Sequence, residues 1–505
     1  MFKNWSPTLA SCLLIAAFVL LGASLEAIYF GQRGRAGDAY SFLFMAAQFL
    51  ENPNSFFTFA PPPGHGYFPE VLTFAFLIYL FPNTAAWQIM GMANILFLAA
   101  FIWTGACLLP RVFETFATKT SAKAMEPFAS RATLITLFFT VIAFTSISDK
   151  SYFWLDGVND HIGTYLTAAL FICLIFGSLR PALKILLFLA CAAGFFSSKL
   201  VIASAAAPAI ALIAYRCYIA KKITPMDVRN LVMIGILCGF SFLPNLFFGH
   251  LESLQRTQIG FLHILPTLET WRLFILKSVS QASGAKLALT IISIGLIANM
   301  IVFRKNQTVF LISASLLFCF IGTLLNGAFR GWNLRHFGFA IFLAACFAAS
   351  CSHRFKRYAL LALFAYTTSL AIGHDYSFTH KASREENVAA CLKPLIEQGV
   401  LKKGLAGHWD AEPVNQLLKT RTLIKTTLRN GAPEPHPWMV DTQLNQFTRE
   451  INFALQNSDN GHYRFLPDPL SALPGFRDIL TCSQTATRIY LYDDYILADF
   501  LLAPQ

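Results

Sequence analysis

The sequence predicts an α-helical polytopic membrane protein with about eleven transmembrane helices, followed by a small α/β domain on the external side of the membrane. Three observations predict this class. Hydrophobic residues make up 55% of the 505 residues and charged residues only 13%, which excludes an ordinary soluble protein. Apolar runs that approach the thickness of a bilayer recur along most of the chain. From His374 onward the composition becomes polar and mixed in charge.

The distribution of Lys and Arg predicts the orientation of the chain. The net charge is +12, but the basic residues lie in short loops between apolar runs, a pattern typical of membrane topology. We therefore expect no nucleic-acid partner. The loops that carry Lys119, Lys221 and Arg354 are predicted to be cytoplasmic. Asp38, Asp156 and the whole tail are then external.

The crossings follow from the apolar runs taken in order. A cleaved signal peptide is the alternative for the first run, but that run is long and many others follow it. Residues 66–81 form a run that is short for a crossing and contains Pro69, so we expect an interfacial or re-entrant helix there. Counting it as a crossing would place the basic loops outside. The eleven predicted crossings are residues 8–30, 84–109, 133–148, 162–177, 185–197, 201–215, 231–248, 287–303, 309–327, 337–349 and 358–372.

Residues 31–70 form a large external loop between the first two crossings. Asp38 is its first acidic residue, and residues 39–50 are predicted to form a short amphipathic helix after it. A run rich in Pro, Gly and aromatic residues closes the loop. A loop of this size, with a carboxylate just beyond the bilayer edge, is more typical of a functional site than of a connector.

The change in composition divides the chain into a membrane domain, residues 1–374, and an external α/β domain, residues 375–505. Within the tail we predict a helix at residues 384–398 from its apolar spacing. Short strands are predicted at residues 406–410, 422–427 and 488–492. A domain of this size can bury a core of its own.

Cys391 and Cys482 are the only cysteines of the tail. An oxidising compartment would allow them to form a disulfide, and the alternative is two unpaired buried thiols. Both outcomes stay open from the sequence. A Cα–Cα separation above about 7 Å would exclude the bond.

Ionisable side chains collect at the predicted outer face, where charges are costly and are functional candidates. A carboxylate there can take the proton of an acceptor hydroxyl as the hydroxyl attacks a sugar carbon. A cation can neutralise a leaving phosphate, and the planar fork of Arg suits phosphate. The set therefore suits transfer from a lipid-linked phosphosugar. Its members are Asp38, His65, Glu70, Asp156, Asp160, His161, Lys199, Arg330, Arg335 and His336.

Each candidate also has a structural alternative. Asp38 could cap the helix that follows it, because Asp is a preferred N-cap residue. Lys199 could simply extend to the membrane interface, and Arg330 and Arg335 could anchor the chain there beside Trp332. The remaining acids and histidines could be solvated, capping or hydrogen-bonded structural residues.

Five features resemble the GT-C superfamily of integral membrane glycosyltransferases, which includes protein O-mannosyltransferases and the lipid A aminoarabinose transferase. An acidic residue follows the first crossing in GDAYSFLFMAAQFL, and a Pro-containing stretch, YFPEVLTFAFLIYLF, precedes the second. Acidic residues recur in the second external loop, in WLDGVND. A late crossing opens with a basic pair and an aromatic residue in LRHFGFAIFLAACF, and a soluble external domain ends the chain.

The resemblance implies a bacterial inner-membrane enzyme with a periplasmic tail. It would use a polyprenyl-phosphate sugar, a lipid, glycan or protein acceptor, and Asp38 as general base. Many members carry two adjacent acids in the first loop, whereas Asp38 is followed by Ala39, so no metal or other cofactor is predicted. The resemblance implies that Lys199, Arg330 and Arg335 bind the phosphate. It also implies that Asp156 or Asp160 is a supporting acid or metal ligand.

Two other functions stay open beside inverting glycosyl transfer. A transporter or flippase of lipid-linked substrates would bind a similar ligand, but transporters often show inverted repeats and charges near the membrane midplane. Here no repeat is evident and the charges gather at the outer edge. The other alternative is a non-catalytic envelope assembly protein whose external domain binds a partner.

Overall fold

The chain forms a bundle of α-helices followed by a domain built on a mixed β-sheet. The computed structural model describes residues 37–51, 53, 59–60, 67–116, 131–132, 135, 162–244, 269, 272, 306–326, 338–350, 384–407, 411, 414–415, 417–418, 420, 422–429, 432–435, 440–441, 446–457, 470–482, 485 and 487–502. The bundle helices are α1 (Gly37–Glu51), α2 (Leu72–Leu80), α3 (Ala86–Trp103), α4 (Leu109–Phe116), α5 (Ile162–Phe176), α6 (Pro181–Ser197), α7 (Ala207–Ala220), α8 (Pro225–Phe240), α9 (Gln307–Asn326) and α10 (Gly338–Ser350). Short π-helical segments that lead into α2, α4 and α7 are Tyr67–Val71, Thr104–Leu108 and Ile202–Ala206.

Two of the described helices, Gln88–Phe116 and Ile202–Ala220, are long and apolar enough to cross a membrane by length and composition. Phe68–Leu80 is a shorter apolar helix, as predicted for residues 66–81. The crossings predicted at residues 8–30, 287–303 and 358–372 lie outside the described residues, and several others lie partly outside them.

The surface of the bundle carries large apolar side chains that are unusual on a water-facing surface. Ile185, Leu186 and Leu189 are each more than half exposed on α6. Phe76 and Tyr79 are likewise exposed on α2. Apolar faces of this kind are typical of contact with lipid or with a partner, which agrees with the membrane class expected from composition.

Hydrogen bonds between helices define the two ends of the bundle. At the first, called the Glu70 end, the backbone N–H of Gly163 donates to the Glu70 carboxylate. At the second, called the Phe176 end, the Thr115 hydroxyl donates to the carbonyl of Phe176 at 3.2 Å. The antiparallel hairpin of α5 and α6 runs between them, and the close approach of its helices depends on Gly194, where a Cβ would overlap Thr167.

Basic residues are distributed unequally between these ends. Of the Lys and Arg residues described between residues 37 and 244, only Lys199 lies at the Glu70 end. Cytoplasmic loops of membrane proteins are enriched in such residues, so the asymmetry supports a cytoplasmic Phe176 end. The residues toward the Phe176 end are Arg111, Arg131, Arg180, Lys184, Arg216, Lys221, Lys222 and Arg229.

The tail folds around a six-stranded mixed sheet. The strands of the chain are β1 (Phe59–Ala60), β2 (Lys403–Gly407), β3 (Leu423–Arg429), β4 (Ala432–Pro435), β5 (Val440–Asp441), β6 (Ile451–Asn457), β7 (Phe476–Thr481) and β8 (Thr487–Tyr492). The sheet has the order β4-β3-β2-β6-β8-β7. β2 is parallel to β3 and β6, and the other neighbours are antiparallel.

One helix covers each face of this sheet. On β2, Ala406 packs with α11 (Arg384–Glu397), whereas Leu405 packs with α12 (Ile496–Leu502). On β8, Ile489 belongs to the core beneath α11 and Tyr490 belongs to the core beneath α12. This alternation is the period of two that a strand buried on both faces requires.

Cys391 on α11 and Cys482 after β7 form a disulfide, with Cα atoms 5.9 Å apart. The bond joins the covering helix to the sheet across a sequence separation of 91. Closing so long a loop restricts the unfolded chain, so the bond stabilises the tail. The sequence left open a disulfide or two unpaired buried thiols, and the structure has the disulfide.

Described residues of the tail contact both the first loop and the bundle. β1, in the first loop, pairs antiparallel with β5, so that Phe59 faces Asp441 and Ala60 faces Val440. Leu417 of the tail packs against both the bundle core and the core beneath α11. The first loop and the tail therefore lie on the same side of the bundle.

Several predicted boundaries need correction. The strands predicted at residues 406–410 and 422–427 are Lys403–Gly407 and Leu423–Arg429. The sequence missed β4, β6 and β7; two of the four residues of β4 are Pro, which strands accept mainly at sheet edges.

The helix predicted to begin at residue 231 begins instead at Pro225, because Thr224 and Asp227 form a capping box there. Thr224 Oγ1 accepts a hydrogen bond from the Asp227 backbone N–H, and the Asp227 carboxylate accepts one from the Thr224 N–H. The apolar run therefore starts inside the helix and does not mark its first residue.

Candidate functional site at the Glu70 end of the bundle

The backbone of Asp38 lies in the first turn of α1, as the second residue of that helix. The predicted amphipathic helix after Asp38 is therefore confirmed, with Asp38 inside it and not at the N-cap position. Phe42, Met45 and Ala46 are buried in the bundle core at the spacing of one helix face. Through this face α1 packs against α2 and the segment Tyr67–Val71.

Glu70 is a carboxylate buried in the bundle, with 1% of its surface exposed. The backbone N–H of Gly163 donates to its Oε1 at 2.7 Å. Gly163 is the second residue of α5, so this N–H has no acceptor within its own helix. The positive end of the helix dipole also favours a carboxylate here. The contact joins the end of the first loop to the start of α5.

Gly163 is required by the space available at this contact. A Cβ on residue 163 would overlap the Cδ of Pro69 and both carboxylate oxygens of Glu70. Every other residue type carries a Cβ, so only Gly allows the helix start and the loop to approach this closely. The first loop and α5 are therefore fitted to each other sterically as well as by a hydrogen bond.

Hydroxyl groups extend the contact to the end of α6. The backbone N–H of Phe68 donates to Ser197 Oγ at 2.8 Å, and the Ser197 hydroxyl donates to the carbonyl of Ala193 at 2.8 Å. Thr164 Oγ1 donates to Ser198 Oγ at 2.8 Å. These hydroxyl residues are all buried. The residues that we name the Glu70 cluster are Phe68, Pro69, Glu70, Gly163, Thr164, Ser197 and Ser198.

Lys199 follows the cluster directly in the turn between α6 and the segment Ile202–Ala206. Its side chain is exposed, and its carbonyl accepts a hydrogen bond from the N–H of Ile202 at 3.0 Å. The turn thus presents a cation immediately after Ser198 of the Glu70 cluster. An exposed ammonium group at this position suits contact with an anionic phosphate.

Helix α9 ends at the same end of the bundle. A Cβ on Gly322, near the end of α9, would lie 3.8 Å from Ala203, four residues after Lys199. Toward the Phe176 end, the rings of Phe310 on α9 and Tyr215 on α7 stack with centroids 4.7 Å apart. α9 therefore runs antiparallel to α7 and finishes near the Lys199 turn.

Helix α10 begins at the Glu70 end. Phe342, near its start, lies against Phe101 with ring centroids 5.1 Å apart. Phe347, further along, lies against Phe113 at 5.4 Å. α10 therefore runs parallel to α3 and α4, which lead toward the Phe176 end.

Several described elements begin or finish at the Glu70 end, among them the segment Tyr67–Val71, the start of α5, the α6–α7 turn, the end of α9 and the start of α10. Of the predicted site residues, Glu70 and Lys199 are described at this end. Other predicted site residues belong to segments that adjoin these elements in the sequence, but they lie outside the described residues; they are His65, Asp156, Asp160, His161, Arg330, Arg335 and His336.

The sequence reasoning missed Gly163, Thr164, Ser197 and Ser198. The available signal was the presence of hydroxyl and Gly residues at the outer borders of two predicted crossings, next to charged residues. Within the described part of the chain, no group of three or more His, Cys, Asp and Glu side chains could hold a metal ion.

No protein-family model matches the sequence, and no match among curated proteins is found. Among solved structures, the chain is similar to the crystal structure of ArnT from Cupriavidus metallidurans in the apo state. The similarity covers 99% of this chain and 100% of that chain, with a TM-score of 0.45 and 12% sequence identity.

Proposed function

We propose that the protein is an inverting membrane glycosyltransferase of the GT-C type. It transfers a sugar from a polyprenyl-phosphate donor to an envelope lipid, glycan or protein acceptor. The observation that supports this most directly is that described elements next in sequence to the candidate residues lie at the Glu70 end, namely the segment Tyr67–Val71, the start of α5, the α6–α7 turn, the end of α9 and the start of α10. Transfer between two bound substrates requires its catalytic groups to be close together.

Asp38 is the proposed general base. Its carboxylate takes the proton of the acceptor hydroxyl while the hydroxyl oxygen attacks the anomeric carbon of the donor sugar. The bond from that carbon to the phosphate oxygen breaks, and the electron pair leaves with the polyprenyl phosphate. Lys199, Arg330 and Arg335 neutralise the negative charge that grows on the phosphate.

Packing and charge support this assignment. The helix that carries Asp38 is held by buried side chains against the segment that contains Glu70. Asp156 and Asp160, which precede α5 in the sequence, are the proposed supporting acids. The tail disulfide favours an oxidising compartment, and the basic Phe176 end favours a cytoplasmic position for the opposite side. Both fit a site on the periplasmic face of a bacterial inner membrane.

The substitution Asp38→Asn tests the proposal. Asn preserves the size of the side chain but removes the anionic oxygen that accepts the proton. We expect transfer in proteoliposomes to fall on the order of 10²–10⁴-fold, with donor binding unchanged. Loss of a negative charge from the first turn of α1 should cost only about 0.3–1 kcal/mol of stability, which thermal unfolding in detergent measures.

Asp38→Ala is the matched control, because it removes the carboxylate together with its hydrogen-bonding capacity. A catalytic base predicts that Asn and Ala lose transfer to a similar extent. A purely structural role predicts that Asn stays near wild type while Ala loses stability. Wild-type transfer by Asp38→Asn would show that this loop does not supply the base, and the transporter and assembly alternatives would then be tested by lipid translocation in the same vesicles.

A further inference from the structure

We propose that Glu70 is a positioning residue that fixes the start of α5 against the closing segment of the first loop, Tyr67–Val71. Its consequence for sugar transfer depends on the proposed function, whereas the anchoring itself does not. Glu70 was a candidate site residue from its charge alone, and the geometry gives it a role distinct from that of a base.

The burial of Glu70 favours anchoring over direct catalysis. Only 1% of its surface is exposed, so an acceptor hydroxyl does not reach its carboxylate in this conformation. Its Oε1 accepts from the Gly163 N–H at 2.7 Å. A buried carboxylate is costly in an apolar environment unless hydrogen bonds and nearby positive charge compensate it. The Gly163 N–H supplies a hydrogen bond, and the dipole of α5 supplies the positive charge.

The contact compensates the charge of Glu70 and also restricts where the start of α5 can lie. Pro69 and Glu70 occupy the space where a side chain on residue 163 would project. The closing residues of the first loop therefore restrict the position of the start of α5. In the sequence, Asp156, Asp160 and His161 immediately precede α5.

The same anchor extends to Lys199. Thr164 follows Gly163 and bonds to Ser198, while Phe68 precedes Pro69 and bonds to Ser197. Release of Glu70 would therefore loosen the turn that presents Lys199. We expect the main kinetic effect to be on binding of the anionic donor, because Lys199 is a proposed phosphate ligand.

Glu70→Ala and Glu70→Gln test this role against Asn230→Ala. Asn230 lies on α8 and contacts the opposite end of α5, where its Nδ2 donates to the carbonyl of Ile175 at 3.2 Å. Ala at position 70 removes the acceptor, whereas Gln keeps one acceptor oxygen and loses the charge. Asn230→Ala removes a comparable buried hydrogen bond without touching the Glu70 cluster.

Hydrogen–deuterium exchange of the intact protein gives a readout that does not depend on activity. For Glu70→Ala we expect faster exchange at residues 162–166 and 197–199 and no change at residues 170–176. The donor KM should rise on the order of 10- to 10²-fold, since small misplacements of binding groups have effects of this size. Glu70→Gln should restore part of the protection. Asn230→Ala should leave exchange at residues 162–166 and the donor KM unchanged.

Wild-type exchange at residues 162–166 in Glu70→Ala would overturn the anchoring role. An equal rise in donor KM for Asn230→Ala would show that the rise in Glu70→Ala comes from general destabilisation of the protein. If Glu70→Ala does not fold, the same comparison is made with Glu70→Gln. Faster exchange in the Glu70 variants of a protein that shows no sugar transfer would retain the anchoring role and reject the proposed function.

Discussion

Gly163 is one of the described residues at which the bundle leaves no room for a side chain. We expect Gly163→Ala to lower the free energy of unfolding by about 1–3 kcal/mol, the usual cost of inserting atoms into a filled site. The physical cause is overlap of the new Cβ with Pro69 and the Glu70 carboxylate. Thermal unfolding in detergent measures the loss.

Gly235→Ala is the matched control for that substitution. Gly235 is also inside a bundle helix, but a Cβ there would meet no atom within 4 Å. Because Ala favours a helix over Gly by about 1 kcal/mol, this variant should be as stable as the wild type or more so. Equal destabilisation by both substitutions would contradict the steric account of Gly163.

Single residues of the site were predictable from sequence only where they carry charge. Glu70 and Lys199 stand out because ionisable groups are rare among apolar runs. Gly163, Thr164 and Ser197 do not stand out, since Gly, Thr and Ser are ordinary residues of membrane helices. Their importance comes from which atoms meet across the bundle, and that depends on the packing of helices that are distant in sequence.

The pairing of β1 with β5 is the contact between elements that most needs a direct test. Directly opposed residues of an antiparallel pair have Cα atoms about 4.5–5.5 Å apart, within the range that a disulfide spans. We therefore expect Ala60→Cys with Val440→Cys to form a disulfide on mild oxidation. Mass spectrometry of the non-reduced digest would detect the linked peptides.

The pair Ala60→Cys with Ile479→Cys is the control for this cross-link. Ile479 is 39% exposed and lies on β7, at the opposite edge of the sheet from β4, the strand that precedes β5. It should remain unlinked under the same oxidation. Cross-linking of this control pair alone would show that the tail is seated on the bundle in another way.

At the scale of elements, the sequence predicted long features and missed short ones. The helix at residues 384–398 was found because its apolar spacing extends over four turns. β1 and β5 have two residues each, which is too short for any periodic signal. Their pairing joins segments from opposite ends of the chain, and no local pattern encodes it.

At the scale of the whole molecule, the two ends of the bundle are expected to face opposite sides of the membrane. We expect an impermeant maleimide to label Arg477→Cys, in the tail, in intact spheroplasts. Lys222→Cys, beyond α7 at the Phe176 end, should react only after permeabilisation. The reason is the concentration of Lys and Arg at that end. The unsubstituted protein supplies the background reactivity, and the reverse labelling pattern would invert the topology.

Composition predicts the membrane class and the division near residue 374, because hydropathy acts over many residues at once. Charge topology predicted only that certain connections lie on one side of the membrane. Which helices are neighbours is decided by packing, as the Gly322 and Phe342 contacts show. Composition carries no information about those neighbours.

The β1–β5 pair also constrains how the protein is made. Roughly 380 residues separate Ala60 from Val440, so at about 5–20 residues per second the first loop waits on the order of 20–80 s for its partner strand. During that interval β1 lacks its partner strand. A chain that terminates before residue 440 can insert every bundle helix and still lack this pairing. Completion of the first loop is therefore a late event in biosynthesis, although its residues are among the earliest to be synthesised.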